Sequence, residues 1–91
     1  MVEADDWRLL NARWHLEGAT FCRKMYRAKS ERWEHDHCAG CWNKIAESDI
    51  PDALHEGYAV TSDYKHGEDY EWVCAECFDA LKEQLRWRIV E

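Results

Sequence analysis

The clearest alternation of apolar and polar positions lies in the last quarter of the chain. Phe78, Leu81 and Leu85 fall at positions i, i+3 and i+7, and polar residues fill the opposite face. This spacing brings apolar side chains onto one side of a helix. It predicts an amphipathic helix over residues 75–86.

A second helix is predicted near the N-terminus, over residues 4–16. Trp7, Leu10 and Trp14 recur at helical spacing, and Gly18 follows them as a helix stop. The acidic residues before Trp7 suit a helix start, because carboxylates stabilise the positive end of the helix dipole.

Three segments have the composition of strands. Residues 57–61 and 70–73 are strand-like, and the polar stretch between them contains Gly67, so they predict a β-hairpin. Residues 20–22 form a further extended segment. The expected fold class is therefore α+β.

The length of 91 residues corresponds to a single domain, with residues 1–33 as an arm packed on a core of residues 34–91. A domain this small has a marginal core unless something such as a metal stabilises it. Hydrophobic residues make up 46 % of the chain, too many for a disordered protein, and six of them are Trp. A small domain cannot bury so many tryptophans. The candidates for exposure at an interface are Trp14, Trp33 and Trp87.

Four of the five cysteines form two Cys-x-x-Cys pairs, Cys38 with Cys41 and Cys74 with Cys77. One tight turn can present both sulfurs of a pair to a metal, and two such turns complete a tetrahedral shell. The acidic N-terminus lacks the apolar stretch of a signal peptide, so we expect a cytoplasmic protein with reduced thiols. The sequence predicts one structural Zn²⁺, with iron as the alternative. The fifth cysteine, Cys22, is expected to be a small core residue.

The neighbours of the cysteines add detail to this site. Gly40 lies inside the first turn, where its backbone freedom is expected to ease the tight geometry. Trp42 and Phe78 each follow the second cysteine of a pair, and we expect them to pack over the metal. Cys74 falls at the start of the predicted helix, so the positive helix end would stabilise the thiolates.

The order of the predicted elements resembles that of the treble-clef zinc finger. A Cys-x-x-Cys turn comes first, a hairpin follows, and a helix then begins at the second cysteine pair. The resemblance covers residues 36–86 and implies a zinc knuckle, a β-hairpin and a C-terminal helix whose first turn supplies two ligands. It bears on fold more than on function. The chain is also similar to a group of small, mostly uncharacterised bacterial zinc-binding proteins, in residues 18–21, 35–42, 54–58 and 72–78. That likeness assigns no activity.

His35, Asp36 and His37 precede the first cysteine and allow three interpretations. The imidazoles could donate hydrogen bonds to thiolate sulfur while Asp36 accepts from backbone amides of the turn. Alternatively, His37 could replace a cysteine as a ligand. The histidines could also serve an HNH-type treble-clef nuclease, although Glu34 replaces an aspartate of that pattern and the final helix lacks its Asn and His. A closed four-thiolate site leaves no position for water, so we expect no enzyme.

The charge of the chain favours a basic protein partner over nucleic acid. Its net charge is −7, and four thiolates with one Zn²⁺ would lower it to −9, which repels phosphate backbones. One stretch of the otherwise acidic chain is basic. We expect its side chains to pair with the chain's own acidic residues. The stretch comprises Arg23, Lys24, Arg27, Lys29 and Arg32.

The leading functional prediction is a small, acidic, zinc-stabilised module that binds another protein, because tryptophan and tyrosine are good interface anchors. A specific alternative is an immunity or inhibitor protein that neutralises a basic toxin or nuclease, since opposite charge accelerates association. The remaining alternatives are a nucleic-acid-binding zinc finger and, least favoured, an HNH-like nuclease. No apolar run approaches a membrane span, and the pattern does not indicate an oligomeric state.

Overall fold

The computed structural model describes residues 2–90, and it confirms a small α+β fold. Helices and strands follow one another in the order α1 (Trp7–Leu16), β1 (Thr20–Met25), β2 (His35–His37), β3 (Lys44–Ala46), β4 (Glu56–Val60), β5 (Trp72–Val73), α2 (Ala75–Leu81) and β6 (Arg88–Val90). Neither helix within residues 2–90 has the length and apolar character needed to cross a membrane.

The main sheet has four strands in the order β5-β4-β1-β6. Strands β4 and β5 pair antiparallel, which confirms the predicted hairpin, and β1 pairs antiparallel with β4 and parallel with β6. Strands β2 and β3 form a separate two-stranded ribbon. The sequence predicted a single domain in which residues 1–33 pack as an arm on a zinc core of residues 34–91. Within that segment, β1 is a central strand of the sheet, hydrogen-bonded to β4 on one side and to β6 on the other.

Helix α1 begins where the sequence predicts an acidic start. The Asp6 side chain accepts a hydrogen bond from the backbone N–H of Arg8 at 2.9 Å, which satisfies a free amide of the first turn. Gly18 ends the segment at a φ of +76°, a conformation that glycine adopts without strain.

The apolar positions that predict α1 face the solvent. Trp7, Leu10 and Trp14 are 55 %, 50 % and 78 % exposed. A second, less conspicuous set faces the core and is fully buried: Leu9, Ala12 and Leu16. Helix α1 therefore has two apolar faces, and only one of them is covered.

Helix α2 is shorter than the sequence predicts, because it ends at Leu81 rather than near Arg86. The following turns close at Arg86, whose φ of +54° reverses the chain and directs it into β6. This reversal places Trp87 in the core, where it is 8 % exposed and its ring N–H donates to the Leu16 carbonyl at 2.8 Å. The expectation that Trp87 is an exposed interface residue is wrong.

Aromatic side chains fill much of the core. Phe78 stacks on Tyr58 at a centroid distance of 3.9 Å and lies 5.7 Å from both Phe21 and Trp87. Of the six tryptophans, only Trp87 and Trp72 are buried. The prediction that some tryptophans stay exposed is confirmed, with Trp14 the most exposed of them.

The two faces of α1 can be compared by truncating adjacent leucines. We expect Leu9→Ala to lower the free energy of unfolding by about 2–5 kcal/mol, because it leaves a cavity in the core. Leu10→Ala, on the exposed face, is expected to change it by less than about 1 kcal/mol. Urea unfolding followed by circular dichroism measures both. Equal losses would contradict the orientation of α1.

Candidate metal centre

Two structural elements bring the four paired cysteines together. Cys38 and Cys41 lie in the turn between β2 and β3, which we call the knuckle (residues 38–41). Cys74 is the N-cap of α2, and Cys77 lies in its first turn. Their sulfur atoms all lie within 4.8 Å of one another, and within residues 2–90 no other group of three or more His, Cys, Asp or Glu side chains is arranged to hold a metal.

The sulfur spacing suits a tetrahedral metal. Four sulfurs bound at about 2.3 Å from a zinc-sized ion are separated by about 3.8 Å along each tetrahedral edge. The Cys41 and Cys74 sulfurs are 3.7 Å apart. The chain therefore folds with its thiols already close to the positions that a metal ion requires.

Backbone amides point at the sulfur atoms. The N–H groups of Gly40 and Cys74 donate to Cys38 Sγ at 3.4 Å and 3.3 Å, and the N–H of Cys77 donates to Cys74 Sγ at 3.4 Å. Such donors stabilise thiolate charge, as the start of α2 was predicted to do.

The close approach of the sulfurs also perturbs their acidity. Hydrogen bonds from the thiols of Cys74 and Cys77 lower the pKa of Cys38 to about 2. The hydrogen bond to Cys38 raises the pKa of Cys74 to about 12 and also raises the pKa of Cys77. A metal must displace the protons held by these thiols. Its binding therefore releases protons, and its affinity falls as the pH is lowered.

The knuckle uses glycine for space rather than for backbone freedom. A Cβ atom at Gly40 would lie 3.2 Å from Cys77 Sγ, so a larger residue would push against the centre. The left-handed backbone conformation falls two residues later, at Trp42, whose φ is +69°. The expectation that Gly40 supplies the unusual backbone angle is therefore wrong. For a non-glycine residue this conformation costs about 1–2 kcal/mol.

The protein covers the centre unevenly. Cys38, Cys74 and Cys77 are buried, whereas Cys41 is partly exposed. Phe78 is buried as predicted, but Trp42 is 62 % exposed and leaves this side open. The expectation that Trp42 packs over the metal is wrong, because most of its side chain is exposed to solvent.

Asp36 does not support the thiols as the sequence predicted. Its Oδ2 accepts three hydrogen bonds, from the Tyr26 hydroxyl at 2.9 Å, the Lys29 ammonium at 3.0 Å and the Trp33 ring N–H at 3.0 Å. Burial, and then the bond to Asp36, raise the pKa of Tyr26. Asp36 therefore anchors the segment between β1 and β2. Trp33 is 37 % exposed, so it is still a candidate interface residue.

The two histidines beside Asp36 also lie apart from the sulfurs. Within residues 2–90 no hydrogen bond joins His35 or His37 to a thiol, and neither belongs to the four-cysteine group. Their rings contact each other, with centroids 5.0 Å apart. The donors that the sequence interpretation assigned to imidazoles are backbone amides.

A residue that the sequence interpretation missed joins α1 to the knuckle. The Asn11 side-chain amide donates to the Gly40 carbonyl at 2.8 Å. Asn11 lies 29 positions before Gly40 and belongs to no motif, so only the folded chain reveals the link. This hydrogen bond attaches α1 to the knuckle.

Cys22 lies outside the centre. It is partly exposed on β1, so the expectation that it is a core residue is wrong. Because β1 alternates its side chains across the sheet, its neighbour Phe21 takes the buried position.

Comparisons of the chain with protein-family models, with curated proteins and with solved structures give no match.

The separation of Cys22 from the centre can be tested by alkylation. In metal-loaded native protein, we expect iodoacetamide to modify Cys22 alone, because a bound metal withdraws the other thiols from reaction. After chelation and denaturation, all five cysteines should react. Intact-mass spectrometry counts the modifications. Rapid modification of all five thiols in the loaded protein would contradict the four-cysteine centre.

Proposed function

We propose that the four cysteines hold one Zn²⁺ and that the chain is a zinc-stabilised module for binding another protein. Zinc favours four-sulfur tetrahedral sites and needs no redox partner. Iron in the same shell remains the alternative, and it would give a coloured protein.

The order of the elements supports a treble-clef-like domain. The knuckle lies in the β2–β3 ribbon, the β4–β5 hairpin follows, and α2 supplies the last two cysteines from its N-cap and first turn. In the proposed domain, β1 and β6 extend the sheet and α1 supports the knuckle through Asn11. A site with four protein ligands stabilises a fold and leaves no position for substrate, so we propose a binding protein rather than an enzyme.

The exposed face of α1 carries the binding proposal. Trp7, Leu10 and Trp14 form a stripe, here called the α1 stripe, and each is at least half exposed. Exposed apolar patches that contain tryptophan are characteristic of protein interfaces. Because Leu9, Ala12 and Leu16 already secure the helix to the core, the α1 stripe is free to bind a partner.

Charge indicates what kind of partner fits. Four residues of the basic stretch form internal ion pairs: Arg23 with Glu56, Lys24 with Asp69, Arg27 with Glu47, and Lys29 with Asp36. These pairs support the interpretation that most of the stretch pairs with the chain's own acidic residues. They remove much of the support for nucleic-acid binding and leave a net charge of −7 to attract a basic protein. Inhibition of a basic toxin would be one instance of this function.

Copurification from the producing cells tests the proposal. We expect native mass spectrometry to show one zinc per chain and a bound basic protein. Replacing two residues of the α1 stripe, by Trp7→Ala with Leu10→Ser, should weaken the complex at least about tenfold, since central aromatic anchors contribute most of the binding energy.

Met25→Ala provides the matched control, because Met25 is similarly exposed at 53 % but lies on β1. Its complex should survive. A zinc-loaded chain that never carries a partner, or a complex that the stripe variant retains in full, would contradict the proposed function.

A further inference from the structure

A small cleft lies where α1 meets the knuckle. Its volume is about 200 Å³, and its walls include Trp14 and His15 from α1, His37 and Trp42 beside the knuckle, and Glu71 before β5. Pockets for drug-sized ligands typically occupy about 300–1,000 Å³. The cleft is therefore of a size for one side chain of a partner.

Glu71 lies in this cleft, and within residues 2–90 no lysine or arginine forms an ion pair with it. Its side chain is 25 % exposed, and no hydrogen-bond donor in residues 2–90 reaches its carboxylate. Burial, and then the charge of Asp36, raise the pKa of Glu71. The cation that acts on it, Lys29, is bound to Asp36 at 3.0 Å. A cationic group in the cleft would remove this electrostatic cost.

His15 is unsuited to neutralising Glu71. Its Nε2 lies 3.6 Å from a Glu71 oxygen, beyond a normal hydrogen bond, and its side chain is only 8 % exposed. Burial lowers the pKa of His15, and its Nδ1 is buried without a partner. Protonation would place a second N–H in this buried ring, where Nδ1 has no acceptor within residues 2–90, so His15 is disfavoured as the cation for Glu71.

Two exposed indoles flank the carboxylate. Trp14 is 78 % exposed and Trp42 is 62 % exposed. The negative face of an indole ring attracts cations, and a guanidinium group also stacks on it. Carboxylates bind guanidinium through paired hydrogen bonds. The cleft thus combines the two kinds of group that recognise arginine.

We propose that this cleft receives an arginine side chain of the protein partner, with the guanidinium group on Glu71 and against Trp14 and Trp42. The inference rests on the proposed function and names the residue by which a basic partner is recognised. Lysine fits less well, because its compact ammonium group neither stacks on indole nor pairs with both carboxylate oxygens.

A peptide titration tests the cleft without the natural partner. Zinc-loaded protein is titrated with acetyl-Gly-Arg-Gly-amide and with acetyl-Gly-Lys-Gly-amide while NMR records the indole N–H signals. We expect the arginine peptide to shift the Trp14 and Trp42 signals and to bind several-fold more tightly than the lysine peptide. Glu71→Gln and Trp14→Ala should each weaken its binding about tenfold.

Two matched variants serve as controls. Glu31→Gln removes one exposed carboxylate elsewhere and Met25→Ala removes one exposed apolar side chain on β1, and both should bind the peptide as the native chain does. Zinc content and amide spectra establish that every variant is folded. Three results would contradict the proposed arginine site. They are binding that Glu71→Gln leaves unchanged, equal binding of the two peptides, and the absence of a shift at Trp14 and Trp42.

The two proposals fail in different ways. If the peptide does not bind but the natural complex still forms and depends on the α1 stripe, the cleft inference alone is wrong. If the peptide binds as expected but no complex is found in the producing cells, the cleft stands as an arginine site and the proposed function is wrong.

Discussion

The convergence of four sulfurs on one point is the constraint on which the rest of the structure depends. It joins the knuckle to the start of α2, two segments that are far apart in sequence. Around it, the Ala39 N–H donates to the Trp72 carbonyl at 2.8 Å and aligns the knuckle with β5. A domain of 91 residues has a limited core, whereas structural zinc contributes about 10–16 kcal/mol in small zinc-finger peptides.

The four-cysteine centre and the proposed binding surface are connected through the knuckle and α1. Trp42 follows the knuckle directly, and its backbone N–H donates to the Cys38 carbonyl at 2.9 Å. Asn11 joins the knuckle to α1, and α1 in turn presents the α1 stripe to solvent. If the four cysteines hold the proposed metal, its removal should therefore disturb the cleft and the surface together, even though no proposed binding residue is among the four cysteines.

Local patterns predicted most of the elements, and long-range packing decided what those patterns could not. Cysteine spacing located the four-cysteine centre, and periodicity located α1. However, the large apolar residues Trp7, Leu10 and Trp14, on which the prediction of α1 rested, face solvent. Leu9 and Ala12 face the core instead. Both sets have helical spacing, so only packing against the core selects between them. The left-handed conformations of Trp42 and Arg86 have no signature in residue type. For that reason the exposure of Trp42 and the burial of Trp87 were both predicted wrongly.

Zinc titration of the reduced, metal-free chain, followed by two-dimensional amide NMR, tests the central claim most directly. We expect the metal-free chain to give a poorly dispersed spectrum and one equivalent of Zn²⁺ to restore a dispersed, native spectrum with no further change beyond that ratio. A metal-free chain that already gives the full native spectrum would contradict the claim that the four-sulfur centre holds this fold together.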